Sequence, residues 1–131
     1  MAGEYLNDEV LDGGLDYADV NGTRIDICTQ APTTYSEATV EGTYSCGSKT
    51  GLNTGAPQNG TTSGRKVIVP AITDGAVNCT GTVTATHWAL TDGTSVLIAV
   101  GPLSASQSVT DGNTFTLDAI EIEIPDVETT P

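Results

Sequence analysis

"ATHWALTDGTSVLIAV", residues 85–100, decides how this chain is read. Asp92-Gly93 is a pair favoured at two-residue hairpin connections, and strand-forming residues flank it on both sides. With that pair at the centre, Leu90 stands opposite Ser95, Trp88 opposite Leu97, and His87 opposite Ile98. The stretch thus predicts an alternating strand from Thr82 to Leu90 and a return strand from Ser95 to Val100. Successive side chains of a strand point to opposite faces. His87 and Trp88, the one histidine and the one tryptophan of the chain, are therefore expected on opposite faces of the hairpin. Trp88 shares the face of Leu90 and Leu97, which suits packing in a core or against a neighbouring subunit. His87 joins Val83, Ala85, Ala89 and Ile98, where a hydrogen-bonded structural histidine is expected rather than a catalyst.

Working outward, "TRIDICTQ" (23–30) alternates Thr23, Ile25 and Ile27 with Arg24, Asp26 and Cys28, a strand with one face inward. "APTTYSEATVEGTYS" (31–45) predicts a short turn and then a strand near Val40–Ser45. "RKVIVPAI" (65–72) is a strand in which Pro70 marks an edge or a bulge. Turns are expected at Asp74-Gly75 and at Asp111-Gly112-Asn113. A last strand turns Ile120, Ile122 and Ile124 one way and Glu121 and Glu123 the other. Composition agrees: 22 threonines and 15 glycines accompany one Phe and one Met, a balance that suits pleated strands and tight turns. The expected fold is mainly β, an antiparallel β-sandwich or small barrel with a short N-terminal helix or arm.

The helix comes from "NDEVLDGGLDYADVNG" (7–22). Val10, Leu11, Leu15 and Ala18 have helical spacing, and acids occupy the other face. Asn7 is a good N-cap, Asp8 and Glu9 complement the positive end of the helix dipole, and Asn21-Gly22 is a stop. Gly13-Gly14 costs on the order of 2 kcal/mol against alanines, so the helix requires something to cover. Residues 47–64, "GSKTGLNTGAPQNGTTSG", hold almost nothing apolar except Leu52 and predict a long loop. At 131 residues the chain is the length of one domain. It divides into an acidic arm or helix (1–22), a β domain (23–126) and a tail (127–131).

The formal net charge is −13, with only Arg24, Lys49, Arg65 and Lys66 basic. Phosphate backbones and anionic membranes demand clustered Lys and Arg, so neither is an expected partner. Acids gather at the ends, six of the 17 carboxylates between Glu4 and Asp19 and five between Asp118 and Glu128. Acidic ends suit a basic protein partner or high solubility. No basic stretch and apolar run open the chain as a signal peptide would, and none of its stretches is apolar enough to span a bilayer. Cys28, Cys46 and Cys79, odd in number and without C-x-x-C spacing, are expected to be reduced, buried thiols rather than a disulfide framework or a zinc site.

Catalytic patterns are wanting. There is no G-x-S-x-G turn, no phosphate loop and no dinucleotide fingerprint, and any triad would have to use His87, which has no evident orienting partner. The Asp-Gly turns do not match EF-hand spacing. No catalytic, cofactor or metal-binding residues are assigned, and the chain is not expected to be an enzyme.

"LDGGLDYADVNGTRIDICTQAPTTYSEAT" (11–39), "GRKVIVPAITDGAV" (64–77) and "ATHWALTDGTSVLIAVGPLSASQSVTDGNTFTLDAIEIEIPD" (85–126) resemble small virion structural proteins of tailed bacteriophages. The similarity covers nearly the whole chain and carries over no site residue. It implies a non-enzymatic virion component assembled in the bacterial host cytoplasm, foremost a capsid decoration or cement protein. That protein would bind the major capsid protein and self-associate, as a trimer in many cement proteins. A neck, tail or head-fibre component is the next reading. The chief alternative of another class is a virion-displayed glycan or receptor module, with Trp88, Tyr35 and Tyr44 stacking on sugars if exposed. Partner contacts are expected at Tyr5, Leu6, Val10 and Leu11 in the arm and at Leu52, Arg65 and Lys66 around the loop.

Overall fold

The computed structural model describes residues 8–61 and 64–124. The fold is mainly β: an antiparallel sheet curls into a half-barrel, accompanied by a short helix. The elements are α1 (Asp8–Asn21), β1 (Arg24–Cys28), α2 (Tyr35–Thr39), β2 (Ser45–Lys49), β3 (Gln58–Asn59), β4 (Arg65–Val69), β5 (Ile72–Val77), β6 (Thr82–Thr91), β7 (Leu97–Thr110), β8 (Thr114–Leu117) and β9 (Ile120–Ile124). Six strands form the curled sheet in the order β7-β6-β1-β2-β5-β8, and three form a second sheet in the order β3-β4-β9.

The two sheets share one core. Ile25, Ile27, Leu90, Val77 and Phe115 from the curled sheet meet Val69, Ile120 and Ile122 from the small one. The isoleucine alternation of β9 thus faces inward as its period predicts. Helix α1 lays Leu15 and Ala18, both nearly inaccessible, against Val67 with Ile98, Ile122 and Ile124 alongside. That contact is what the helix covers, and its burial offsets the cost of Gly13-Gly14. On the other face of the curled sheet, α2 sets Ala38 against Cys28 and Ala89, flanked by Tyr44, Leu97 and Val100.

Several local expectations are corrected. The turn at Asp92 is not a two-residue connection. The Asp92 Oδ1 accepts from the backbone N–H of Thr94, Ser95 and Val96 at 2.8–2.9 Å, which holds a longer loop open. The register moves with it, so that Trp88 pairs with Gly101, His87 with Pro102 and Leu90 with Ala99. A second irregularity sets the four residues Leu103 to Ser106 opposite Thr86 alone. This kink reverses the parity of β6. Val83, Ala85 and Ile98 face the main core together with Trp88 and Leu90, not the side of His87.

Asp74-Gly75 is not a turn but the middle of β5. Its glycine is there for room, because a Cβ on Gly75 would lie 2.3 Å from the Phe115 ring. The short turn expected after residue 31 holds α2, and in place of a strand at Val40–Ser45 the chain turns over residues 40–44, with β2 starting only at Ser45. The supposed loop 47–64 is shortened by β2 at one end and interrupted by β3. Leu52 within it is 8 % exposed and belongs to the main core. Pro70 marks neither an edge nor a bulge of one strand over 65–72: β4 stops at Val69, β5 starts at Ile72, and the chain passes between them from the small sheet to the curled one.

Candidate functional site: a cleft at the open seam of the half-barrel

The six-stranded sheet does not close. Its edges, β7 and β8, approach each other, and between them lies a cleft of about 600 Å³. Trp88 and Leu117 contribute apolar surface, as do Leu103 and Ile120, while Ser104, Gln107, Thr116 and Asp118 supply polar groups. One direct link crosses the seam, Gln107 Nε2 donating to the Thr116 carbonyl at 2.7 Å.

Local sequence builds each wall. Leu103 to Ser106 form the wide bulge of β7, which pushes that strand out of the ladder. Pro102, at its start, has no N–H to offer. Trp88 is half-buried, and its indole lies across the backbone of its cross-strand partner, since a Cβ on Gly101 would stand 2.6 Å from the ring. Only glycine allows so close an approach. Neither Ser104 nor Asp118 forms a side-chain hydrogen bond or ion pair among the described residues. Leu103 to Ser106 and Asp118 were not singled out by sequence reasoning, because the register that brings them to Trp88 depends on two irregularities in β6–β7.

Elsewhere, polar groups are occupied within the chain. Asp26, fully buried on the α2 side, receives Arg24 Nε at 2.8 Å, Arg24 Nη2 at 3.0 Å and the Ser45 hydroxyl at 2.7 Å. Arg24 Nη2 also donates to the Thr39 carbonyl at the end of α2. Burial pushes the Asp26 carboxyl above its ordinary value, with Arg24 and Ser45 pulling the other way. Arg24 is itself raised, chiefly by its hydrogen bond to Asp26.

His87 is accounted for by similar bonding. The Thr86 hydroxyl gives its one proton to the Thr29 carbonyl, so it accepts from His87 Nδ1 at 2.8 Å. The histidine pairs with Cys28 on β1, on the face opposite Trp88. Cys28 and Cys46 are buried and Cys79 is half-buried. Burial pushes the Cys28 thiol up to about 12 and the Cys46 thiol up to about 11, so both are protonated and weakly nucleophilic at neutral pH. A second cleft of about 430 Å³ runs past Cys46, Cys79 and Glu41. Among the described residues, no three His, Cys, Asp or Glu side chains come together as metal ligands would. No described helix is long and apolar enough to cross a membrane.

The expected partner contacts are dispersed. Tyr5 and Leu6 lie outside the described residues, and Val10 and Leu11 fall within α1. Leu52 packs inside, which leaves little of it for a partner. Lys66 Nζ donates to the Thr61 hydroxyl at 2.7 Å and pairs with Glu121, whose carboxyl is held low chiefly by that lysine. Arg65 donates to the Asn59 side chain at 2.9 Å and to the Pro57 carbonyl at 3.3 Å. Both cations thereby tie β3 and its flanks to the small sheet. Tyr35 and Tyr44 are half-buried near α2 and take no part in the Trp88 cleft. Sequence reasoning overlooked Tyr17 and Val20, which are 43 % and 71 % exposed on the outer side of α1. Their helical offset from Leu15 and Ala18 was the available signal.

The architecture is thus a β half-barrel with a polar cleft at its seam and an acidic helix on its core. No protein-family model matches the chain, and neither a curated protein nor a solved structure matches it.

Proposed function

We propose that this protein is a non-enzymatic structural component of a tailed-phage virion, foremost a decoration or cement protein that binds the outer shell and stiffens it. The observation that carries the reading is the outer side of α1. Tyr17 and Val20 offer apolar area there, beside Asp16 and Asp19, while the inner side of the same helix is anchored in the core. Apolar contacts rimmed by acids suit a basic, partly apolar patch on a shell exterior. The quoted resemblance points the same way. Binding alone is the mechanism. Many copies on a symmetric lattice, each with a modest interface, add up to substantial reinforcement if they also engage one another.

Deleting residues 1–20 would remove Leu15 and Ala18 from the core and confuse unfolding with lost contact. The cleaner test is Tyr17→Ser combined with Val20→Asp, two exposed changes expected to leave the fold intact. Heads lacking the protein are mixed with each form and sedimented. Loss of bound protein with an unchanged circular dichroism spectrum supports the reading, and full occupancy by the double variant rejects it.

A further inference from the structure

We infer that the seam cleft is a binding site for a neutral saccharide. Three observations combine. First, Trp88 lines the cleft with its indole pressed onto the Gly101 backbone. A ring backed in this way offers the cleft a flat apolar surface, which suits the C–H face of a pyranose. Second, the polar groups around it match hydroxyl chemistry. Asp118 accepts, Ser104 and Thr116 accept or donate, and Gln107 does both. Ser104 and Asp118, both exposed at the mouth of the cleft, have no partner among the described residues. Third, the volume of about 600 Å³ falls within the range of small-molecule sites, roughly 300–1,000 Å³, and admits a short oligosaccharide.

Charge narrows the class. The lining carries the Asp118 carboxylate and no cation, within a chain of net charge −13. Sialic acids, uronic acids and phosphorylated sugars would be repelled, while neutral hexoses and N-acetylhexosamines would not. A peptide strand adding to the sheet edge fits less well. Pro102 and the bulge at Leu103–Ser106 remove the regular row of donors and acceptors that strand addition requires. The inference stands apart from shell binding, since none of its residues belongs to α1.

The single tryptophan makes the test local. The full chain is titrated with maltotriose, cellotriose, triacetylchitotriose and sialyllactose while Trp emission is followed, and is then applied to an array of neutral and acidic glycans. The expected result is a saturable emission shift with at least one neutral trisaccharide, none with sialyllactose, and retention on neutral glycans. Gln107→Ala and Asp118→Asn, on the rim and away from the packed core, should each weaken binding about tenfold with an unchanged circular dichroism spectrum. Absence of retention by every neutral glycan overturns the inference. So does preference for acidic sugars, or affinity unaltered in both rim variants.

Discussion

The Asp26 cluster and the Trp88 cleft lie on opposite faces of one curled sheet and treat polar groups in opposite ways. At Asp26 a buried carboxylate has three donors, and the arginine that supplies two of them reaches on to the end of α2. At the cleft, Gln107 spans the seam by one bond while the exposed Ser104 and Asp118 have no partner among the described residues. The first arrangement locks a helix to a sheet. The second leaves hydrogen-bonding capacity facing outward beside an aromatic ring. Buried polar groups must be satisfied within the chain, and those at a cleft can be satisfied by something else. That contrast separates architecture from candidate function more clearly than residue type does.

The largest expected effect follows at the buried cluster. Asp26→Ala strands the Arg24 guanidinium and the Ser45 hydroxyl, and should cost about 3 kcal/mol in urea unfolding. A loss below about 1 kcal/mol would mean that α2 is held by apolar packing and not by this cluster. Next come two glycines under aromatic rings. Gly75→Ala forces a methyl into the Phe115 ring within the packed core and should cost about 2–3 kcal/mol. Gly101→Ala meets Trp88 at similar range, but the indole has a cleft to move into. It should cost about 1 kcal/mol and shift Trp emission to the red. Equal costs would show that the cleft ring is as confined as the core ring.

Smaller still, Gln107→Ala removes the seam bond and should destabilise by about 0.5–1 kcal/mol, measured by thermal unfolding. The pH response should also divide the two kinds of carboxylate. Backbone N–H groups of Val96, Ser95 and Thr94 hold Asp92 below its ordinary value. Stability from that ionised loop is present above the usual carboxylate range and lost as pH falls through the depressed pKa. Asp26 has the opposite sign. Its raised pKa makes its contribution fullest below the usual carboxylate range, and that contribution falls as pH rises through the raised value. Carboxyl NMR titration of both residues, with Asp92→Asn and Asp26→Asn as references, checks the two directions.

Much of the β character was legible from alternation alone. β1 and β9 follow it, β6 follows it only on either side of its kink, the turn after β7 follows Asp111-Gly112-Asn113, and α1 follows its apolar spacing at Leu15 and Ala18. What failed was the interpretation of Asp-Gly pairs. The same dipeptide opens a side-chain-capped loop at Asp92 and sits inside a strand at Asp74, where Phe115 demands the glycine. Neither demand is local, so neither shows in a short window. α2 did carry a signal: Thr34 caps Glu37 N–H at 3.1 Å, and Thr34-Tyr-Ser-Glu37 has capping-box spacing. The cleft was hidden for a different reason. Trp88 was visible as a lone aromatic, but its neighbours across the seam depend on the β6–β7 bulge and on the sheet curling until β7 and β8 face each other.

The most direct test of the structural role is a count of bound copies. Heads lacking the protein are saturated with it, sedimented, and the bound copies compared with the number of shell subunits. The decoration reading predicts saturation at a fixed ratio to the shell lattice. A handful of copies per particle, or none, would contradict it.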